Sequence, residues 1–274
     1  MSRSFAGGAD RARTGDLLVA NQLLYQLSYS PVGRSLRPSC ACRRRRERHG
    51  ATGQQTVQVP PPIGFDLDLT LIDSRQTILD TWAAVATETG RRIDLADVSS
   101  RLGIKLEDEL GYWFEPSELE EVGLVYRRHY VELARRSTPV LPGAARALAA
   151  VRAAGAAAVI ITAKHPVSVA PSLAASGLVA DQVFAHVHGP EKAEVLRRIA
   201  ACAYVGDTPA DMSAAVEAGV HGVGVTTGVF HGAALRSAGA ATVLASLEEF
   251  PAWLAGRPGW RQETEARDRP GGAD

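Results

Sequence analysis

Two aspartates stand two residues apart at the end of an apolar run, Ile63-Gly64-Phe65-Asp66-Leu67-Asp68-Leu69-Thr70. A strand of period two aims Asp66 and Asp68 to one side. At the strand's carboxyl end they stand where open α/β sheets bind ligands. Two carboxylates that close repel each other, and a divalent cation relieves the repulsion most simply. Taken alone, the pair also reads as the polar exit of an ordinary buried strand. Other polar residues follow apolar runs downstream. Thr162 closes Ala157–Thr162 and precedes Ala163, Lys164 and His165. Lys192 follows Gly189-Pro190-Glu191, and Asp207 and Asp211 lie in Gly206-Asp207-Thr208-Pro209-Ala210-Asp211. Each has an ordinary reading: Thr162 and Asp207 as helix caps, Lys192 as a solvated helix residue.

Four such strand ends in one chain make a set suited to phosphoryl transfer. A carboxylate attacks phosphorus in line and splits one hard step into two. A second carboxylate protonates the leaving oxygen and later takes a proton from water. Magnesium, held by carboxylates and waters, lets an anionic nucleophile approach an anionic phosphate. A hydroxyl, a lysine and backbone N–H groups bind the equatorial oxygens.

The elements that must position these groups can be read from pattern. Residues 62–68 read as a buried first strand, and Ser74–Glu88 as a helix with Ile78, Trp82, Val85 and Ala86 near the 3.6 spacing. Helical patterns continue over 95–103, 105–113 and 116–136, with no strand between 74 and 137. Alternation then begins. Helices are expected over 142–154, 166–176, 190–200, 209–218, 231–238 and 246–255. Strands are expected over 157–162, 183–187, 202–206, 222–225 and 241–244. Repeated β-α units of this length predict an α/β fold with a doubly wound parallel sheet. The expected organisation is a core of 61–73 and 138–255, with a small all-α segment of 74–137 inserted after the first strand.

The ordered set resembles the haloacid dehalogenase-like (HAD) superfamily, over about residues 61–255. Asp66-Leu67-Asp68-Leu69-Thr70 is similar to its first motif, Asp-x-Asp-x-Thr; Thr162 resembles the second, Lys192 the third and Gly206-Asp207-x-x-x-Asp211 the fourth. The resemblance implies a Rossmann-like core, Asp66 as nucleophile and Asp68 as general acid/base. It implies Mg2+ bound by Asp66, the Asp68 backbone carbonyl and Asp207, with Asp211 supporting the metal or orienting the lysine. Thr162, Ala163 and Lys192 would hold the phosphoryl group. Lys164 competes with Lys192 for that role; Lys192 is preferred because it opens a helix between the second and fourth motifs. The helical insertion resembles the superfamily's α-helical cap. Leu141-Pro142-Gly143 and Gly224-Val225-Thr226-Thr227-Gly228 resemble the phosphoglycolate-phosphatase-like branch. Gly103–Glu107 resembles a substrate-facing segment, with Lys105 a candidate contact and an exposed lysine the alternative. His165 is open between substrate contact and capping. An aspartate at position 68 argues against the dehalogenase and phosphonatase branches.

The resemblance thus implies an Mg2+-dependent phosphomonoester hydrolase of a small phosphorylated metabolite, working through an aspartyl-phosphate. The alternatives are a phosphomutase of the β-phosphoglucomutase type and, in another class, a non-catalytic protein that keeps the fold. Composition agrees with such a protein. Of 274 residues 46% are apolar, enough for a real core. Formal net charge is zero, but residues 1–60 carry ten Arg and three acids, leaving 20 basic and 27 acidic residues elsewhere. A mildly acidic remainder does not predict nucleic-acid binding. No run suits a membrane span or signal peptide. Cys40, Cys42 and Cys202 form no disulfide or zinc pattern, so the expectation is a cytoplasmic protein, monomeric or homodimeric.

Residues 1–60 and the tail 256–274 read as disordered, including the basic run Arg43–Arg48. Codons for Leu24–Tyr29 can be written so that their reverse complement looks like the D-arm of a transfer RNA gene, and Ala12–Thr14 can carry the complement of a T-loop. The first sixty residues are therefore expected to be a spurious extension, with the true start near Val57 or Val59.

Overall fold

The computed structural model describes residues 60–257. The readings made on residues 1–59 and on the tail from 258, including Cys40, Cys42, the Arg43–Arg48 run and the transfer RNA-like stretch, lie outside the described residues.

Six parallel strands form the core: β1 (Ile63–Phe65), β2 (Ala158–Thr162), β3 (Gln182–Ala185), β4 (Ala203–Gly206), β5 (His221–Val225) and β6 (Thr242–Leu244). Their order is β3-β2-β1-β4-β5-β6, the doubly wound arrangement, with β1 paired to β2 and β4. The chain runs outward from β1 to β3 and then crosses back to β4. The direction of winding therefore reverses between β1 and β4, and a crevice opens at their carboxyl ends.

Strand alternation divides the apolar residues between two faces. Ile63, Phe65, Ile160, Val205 and Val223 pack with Ala147, Leu148 and Val151 of α5 (Ala144–Ala153) and with Phe250 and Leu254 of α10 (Phe250–Ala255). Val159, Ile161 and Tyr204 pack with Val195 and Leu196 of α7 (Pro190–Arg198) and with Ala215 of α8 (Pro209–Ala218). The two remaining core helices are α6 (Pro166–Ser176) and α9 (Gly232–Ser237). Gly64 is small for a reason. A Cβ there would stand 2.9 Å from the Tyr204 ring and 3.0 Å from Leu196, so the glycine makes room for a tyrosine in the middle of the sheet.

Between β1 and the core helix α5 the chain is all-helical, as its pattern predicts: α1 (Arg75–Thr89), α2 (Leu95–Ser100), α3 (Leu106–Leu110) and α4 (Leu119–Arg136). These helices bury their own cluster, built from Trp82, Val85, Val98, Leu110, Phe114, Val122, Tyr126 and Tyr130. The Trp82 and Tyr126 rings meet at 5.2 Å. Helix α2 is shorter than its apolar pattern because the chain turns through Gly103 at a φ of 103°. The two connections to the sheet run side by side: Asp73 N–H donates to Pro139 O at 2.8 Å and Leu141 N–H to Leu71 O at 3.0 Å. Helix α4 also packs along α6, which carries the insertion over the strand ends. Among the described residues, no helix is long and apolar enough to cross a membrane.

Candidate active site

The first strand is shorter than the apolar run. Assigned pairing ends at Phe65, and Asp66 N–H adds one more bond, to Val205 O at 2.8 Å. The chain then turns back on itself. Leu71 and Ile72 N–H groups both donate to Leu67 O, and Leu69 takes a left-handed φ of 58°. Asp66 and Asp68 are therefore the first residues beyond the strand and do not share one pleated face. Asp66 is buried and Asp68 half-buried, and each carboxylate finds a different lysine.

Lys192 Nζ lies 2.8 Å from Asp66 Oδ1 and 2.7 Å from Asp211 Oδ1. Lys164 Nζ lies 2.8 Å from Asp68 Oδ1, although the angle leaves that buried oxygen without an aligned hydrogen bond. Lys164 also donates to Tyr130 OH of α4 and sits over that ring, 3.9 Å from its centre. The two lysines, rivals by sequence, thus occupy separate positions. Lys192 is seated by α7, whose first turn contains it after Pro190.

Asp207 directly follows β4, and its Oδ1 accepts from Thr70 Oγ1 at 2.9 Å. Asp211 closes a capping box at the start of α8: its N–H donates to Thr208 Oγ1 at 3.1 Å, and its Oδ2 accepts from Thr208 N at 3.2 Å and Oγ1 at 2.6 Å. Tyr204 OH reaches Ile161 O at 2.9 Å and Asp211 Oδ1 at 3.2 Å. Both Asp211 oxygens are thereby occupied by donors. Two glycines permit this packing. A Cβ on Gly206 would stand 2.5 Å from Asp211 Cβ, and one on Gly228 would stand 2.0 Å from Asp207 Oδ2. Thr162 is 1% exposed, and its Oγ1 accepts from Lys164 N–H at 3.1 Å, so its own proton is left to donate. Thr162 is not the helix cap; His165 is, accepting from Val167 N–H through Nδ1 at 3.2 Å.

Burial sets the electrostatics. It pushes the Asp66 carboxyl up to about 7; Lys192 opposes this, and the neighbouring Asp211 and Asp68 carboxylates add to it. Asp207 is raised well above the carboxylate range by burial, then by Asp211 and Asp66, against its bond from Thr70. Burial pushes the Lys192 ammonium down, but Asp211 and Asp66 outweigh it and the net shift is upward. Lys164 is likewise raised, Asp68 and Tyr130 outweighing burial.

Asp66, Asp207 and Asp211 bring one carboxylate oxygen each to within 4.8 Å of one another. Three buried carboxylates face the single ammonium of Lys192, and the hard oxygens of Asp66 and Asp207 fit Mg2+. Asp66 and Asp207 belong to the expected metal set; Asp211, expected to support the metal or orient the lysine, lies beside them with both oxygens already bonded.

A cavity of about 510 Å³ joins these residues to the insertion. Asp66, Asp68, Thr162, Ala163, Lys192 and Asp207 line its floor, and Trp82, Arg101, Lys105 and Tyr130 line its roof. Lys105 is exposed at the start of α3 and borders the opening. Sequence reasoning singled out neither Tyr130, Tyr204 nor Thr208. Tyr204 left a signal, a hydroxyl inside an aliphatic strand that needs a partner once buried.

The family model described as haloacid dehalogenase-like hydrolase matches residues 63–215. The chain belongs to this family of hydrolases. No curated protein sequence matches it. Solved structures share its fold. A hydrolase from Pseudomonas syringae is 21% identical, with a TM-score of 0.61 over 71% of this chain and 98% of that one. A predicted phosphoglycolate phosphatase from Haemophilus somnus 129pt is 18% identical, with a TM-score of 0.62 over 72% and 99%. A putative β-phosphoglucomutase from Thermotoga maritima is 19% identical, with a TM-score of 0.56 over 71% and 98%.

Proposed function

We propose that this hydrolase is a phosphatase that cleaves small phosphomonoesters through an aspartyl-phosphate on Asp66. One observation carries the reading: Asp66 stands at the β1/β4 switch point, 2.8 Å from Lys192 and clustered with Asp207, in the wall of the cavity. An Asp66 oxygen attacks phosphorus as the bond to the leaving oxygen breaks, and Asp68 gives that oxygen a proton. Asp68 then takes a proton from water, the water oxygen attacks phosphorus, and phosphate leaves with Asp66 restored. Thr162 Oγ1, the Ala163 N–H and Lys192 Nζ hold the equatorial oxygens. Asp211 holds Lys192 in place, since its oxygens are already bonded. Asp66 and Asp207, with the Asp68 carbonyl, would hold Mg2+. When bound, that ion supplies the charge neutralisation that lets two anions meet.

The helical insertion acts as a cap: it encloses the leaving group, excludes water, and moves on the paired connections at Asp73 and Leu141. The substrate is a small phosphorylated metabolite of a phosphoglycolate-phosphatase-like enzyme. The similarity to a putative β-phosphoglucomutase favours a second reading, phosphoryl transfer between positions of one sugar. Phosphate release from a panel of phosphorylated metabolites, measured with Mg2+ and without any bisphosphate activator, separates the two. Sustained release supports the phosphatase; transfer that requires the activator supports the mutase. Absence of both would return the chain to a non-catalytic role.

A further inference from the structure

The cavity that holds Asp66 also carries a group of basic residues that the phosphoryl transfer does not use. Arg127 lies on α4 and Lys105 just before α3; His165, His186 and His188 come from the loops after β2 and β3. All five line the cavity that contains Asp66 and Thr162. The imidazoles form a chain: the His165 and His186 rings are 5.4 Å apart, those of His186 and His188 are 4.9 Å apart, and His188 Nε2 is 3.4 Å from His186 Nδ1. Burial holds the His165 and His188 imidazoles below the usual histidine range, and the charges of Arg127 and Lys105 push His165 and His188, respectively, the same way. The loop is tied to the catalytic floor, because His186 N–H donates to Lys164 O at 2.9 Å and Val187 N–H to Thr162 O at 3.0 Å.

One carboxylate already engages the group. Glu107 pairs with Arg127 Nη2 at 2.8 Å, and its charge reaches both His165 and His188. Yet Glu107 leaves one donor unused, Arg127 Nε, and a second where the His188 tautomer carries its proton on Nδ1. Arg127 Nε and His188 Nδ1 are buried with no hydrogen-bond partner among the described residues. His165 Nδ1 is taken by Val167 N–H, so the neutral ring presents an Nε2–H. Glu107 itself is 48% exposed and sits in the first turn of a five-residue helix, where it can swing out. A 3.4 Å pair of imidazole nitrogens also suits a transition metal. Two cations beside it and no converging third ligand among the described residues weigh against a cation.

We infer that the substrate carries a second anionic group, a carboxylate or phosphate, which displaces Glu107 and is held by Arg127, Lys105, His165 and His188 while the phosphoryl group lies on Asp66. This rests on the phosphatase reading and narrows its substrate class to phosphomonoesters with a second negative charge on the leaving group.

The test uses ligands that cannot turn over, so it stands apart from the catalytic assay. The full-length protein with Mg2+ is titrated calorimetrically with 3-phosphonopropionate and with its amide, which lacks the second charge. The carboxylate is expected to bind about ten- to a hundredfold tighter, the range of one or two charge-assisted hydrogen bonds. Arg127→Gln and Lys105→Gln should each shrink that ratio; Lys105 is exposed, so its variant keeps the fold. Glu107→Gln should enlarge the ratio by removing the competing carboxylate, a sign that a merely structural role for Glu107 does not give. Equal affinity for the acid and the amide overturns the inference, and so does a ratio that none of the three variants moves. Loss of phosphatase activity in every substrate screen, with the ratio intact, would instead count against the catalytic reading alone.

Discussion

Gly228→Ala tests how the acidic cluster is built. The added Cβ would lie 2.0 Å from Asp207 Oδ2 and 2.8 Å from its Cγ. Contacting atoms rest about 3.5 Å apart, so the carboxylate must retreat by on the order of 1.5 Å. Asp207 is 1% exposed and anchored by Thr70 Oγ1 at 2.9 Å, so a retreat toward the cavity it lines strains or breaks that bond. The Gly228 backbone has no left-handed φ, and alanine fits its conformation. The damage therefore falls on the site and not on the fold. A displacement above 1 Å at a reacting centre costs about 10²-fold in rate, and losing the orientation of one ligand costs about 10- to 100-fold in metal affinity. The assay is phosphate release against Mg2+ concentration, with the thermal midpoint measured in EDTA. The expected result is an Mg2+ half-saturation at least tenfold higher, kcat lower by about two orders of magnitude, and a nearly unchanged midpoint. Wild-type Mg2+ response would refute the reasoning, and so would a collapse of the midpoint.

Three further outcomes rest on the same geometry. Lys192→Met removes the ammonium shared by Asp66 and Asp211 and should cut kcat/KM by ~10³-fold or more, as expected for an oxyanion-binding cation; Lys164→Met should cut it less, and the reverse order would exchange their roles. The metal-free protein should lose stability as pH rises between about 4 and 7, because folded Asp66 holds its proton up to about 7 whereas the ordinary value is 3.8. Asp66→Asn should flatten that stretch of the profile and raise the midpoint in EDTA at pH 8; a midpoint unchanged at pH 8 would sink the electrostatic account. Gly64→Val puts side-chain atoms against Tyr204, Leu196 and Ile161 and should cost about 1–3 kcal/mol in urea unfolding, the range for overpacked cores.

Much of the site was legible because parallel sheets are written plainly. Buried strands are continuous apolar runs, and each ends at the edge where ligands bind. Asp66, Thr162 and Asp207 were readable as strand exits on that ground, and Lys192 as a helix opening. The sheet and the all-helical insertion emerged from the change of period at Ser74 and Thr138. The features that escaped depend on approach in space. Tyr130 lies on the apolar stripe of α4 and reads as core, but it reaches Lys164 across the cavity. Gly206 and Gly228 look like loop glycines until a Cβ is placed beside Asp211 and Asp207. The contest between Lys164 and Lys192 could not be settled by spacing, because each sits near an acid 96 or 126 residues away in sequence. The extent of β1 was overestimated, since alternation continues through Leu67 and Leu69 although the chain has already turned.

The central claim is that Asp66 carries the phosphoryl group. Rapid quenching of the turning-over enzyme, borohydride reduction and peptide mass spectrometry locate an acyl-phosphate by converting its aspartate to homoserine. Conversion at residue 66, absent without substrate and absent in Asp66→Asn, is the predicted result. Conversion at Asp68 or Asp207, or sustained turnover by Asp66→Asn, would contradict it.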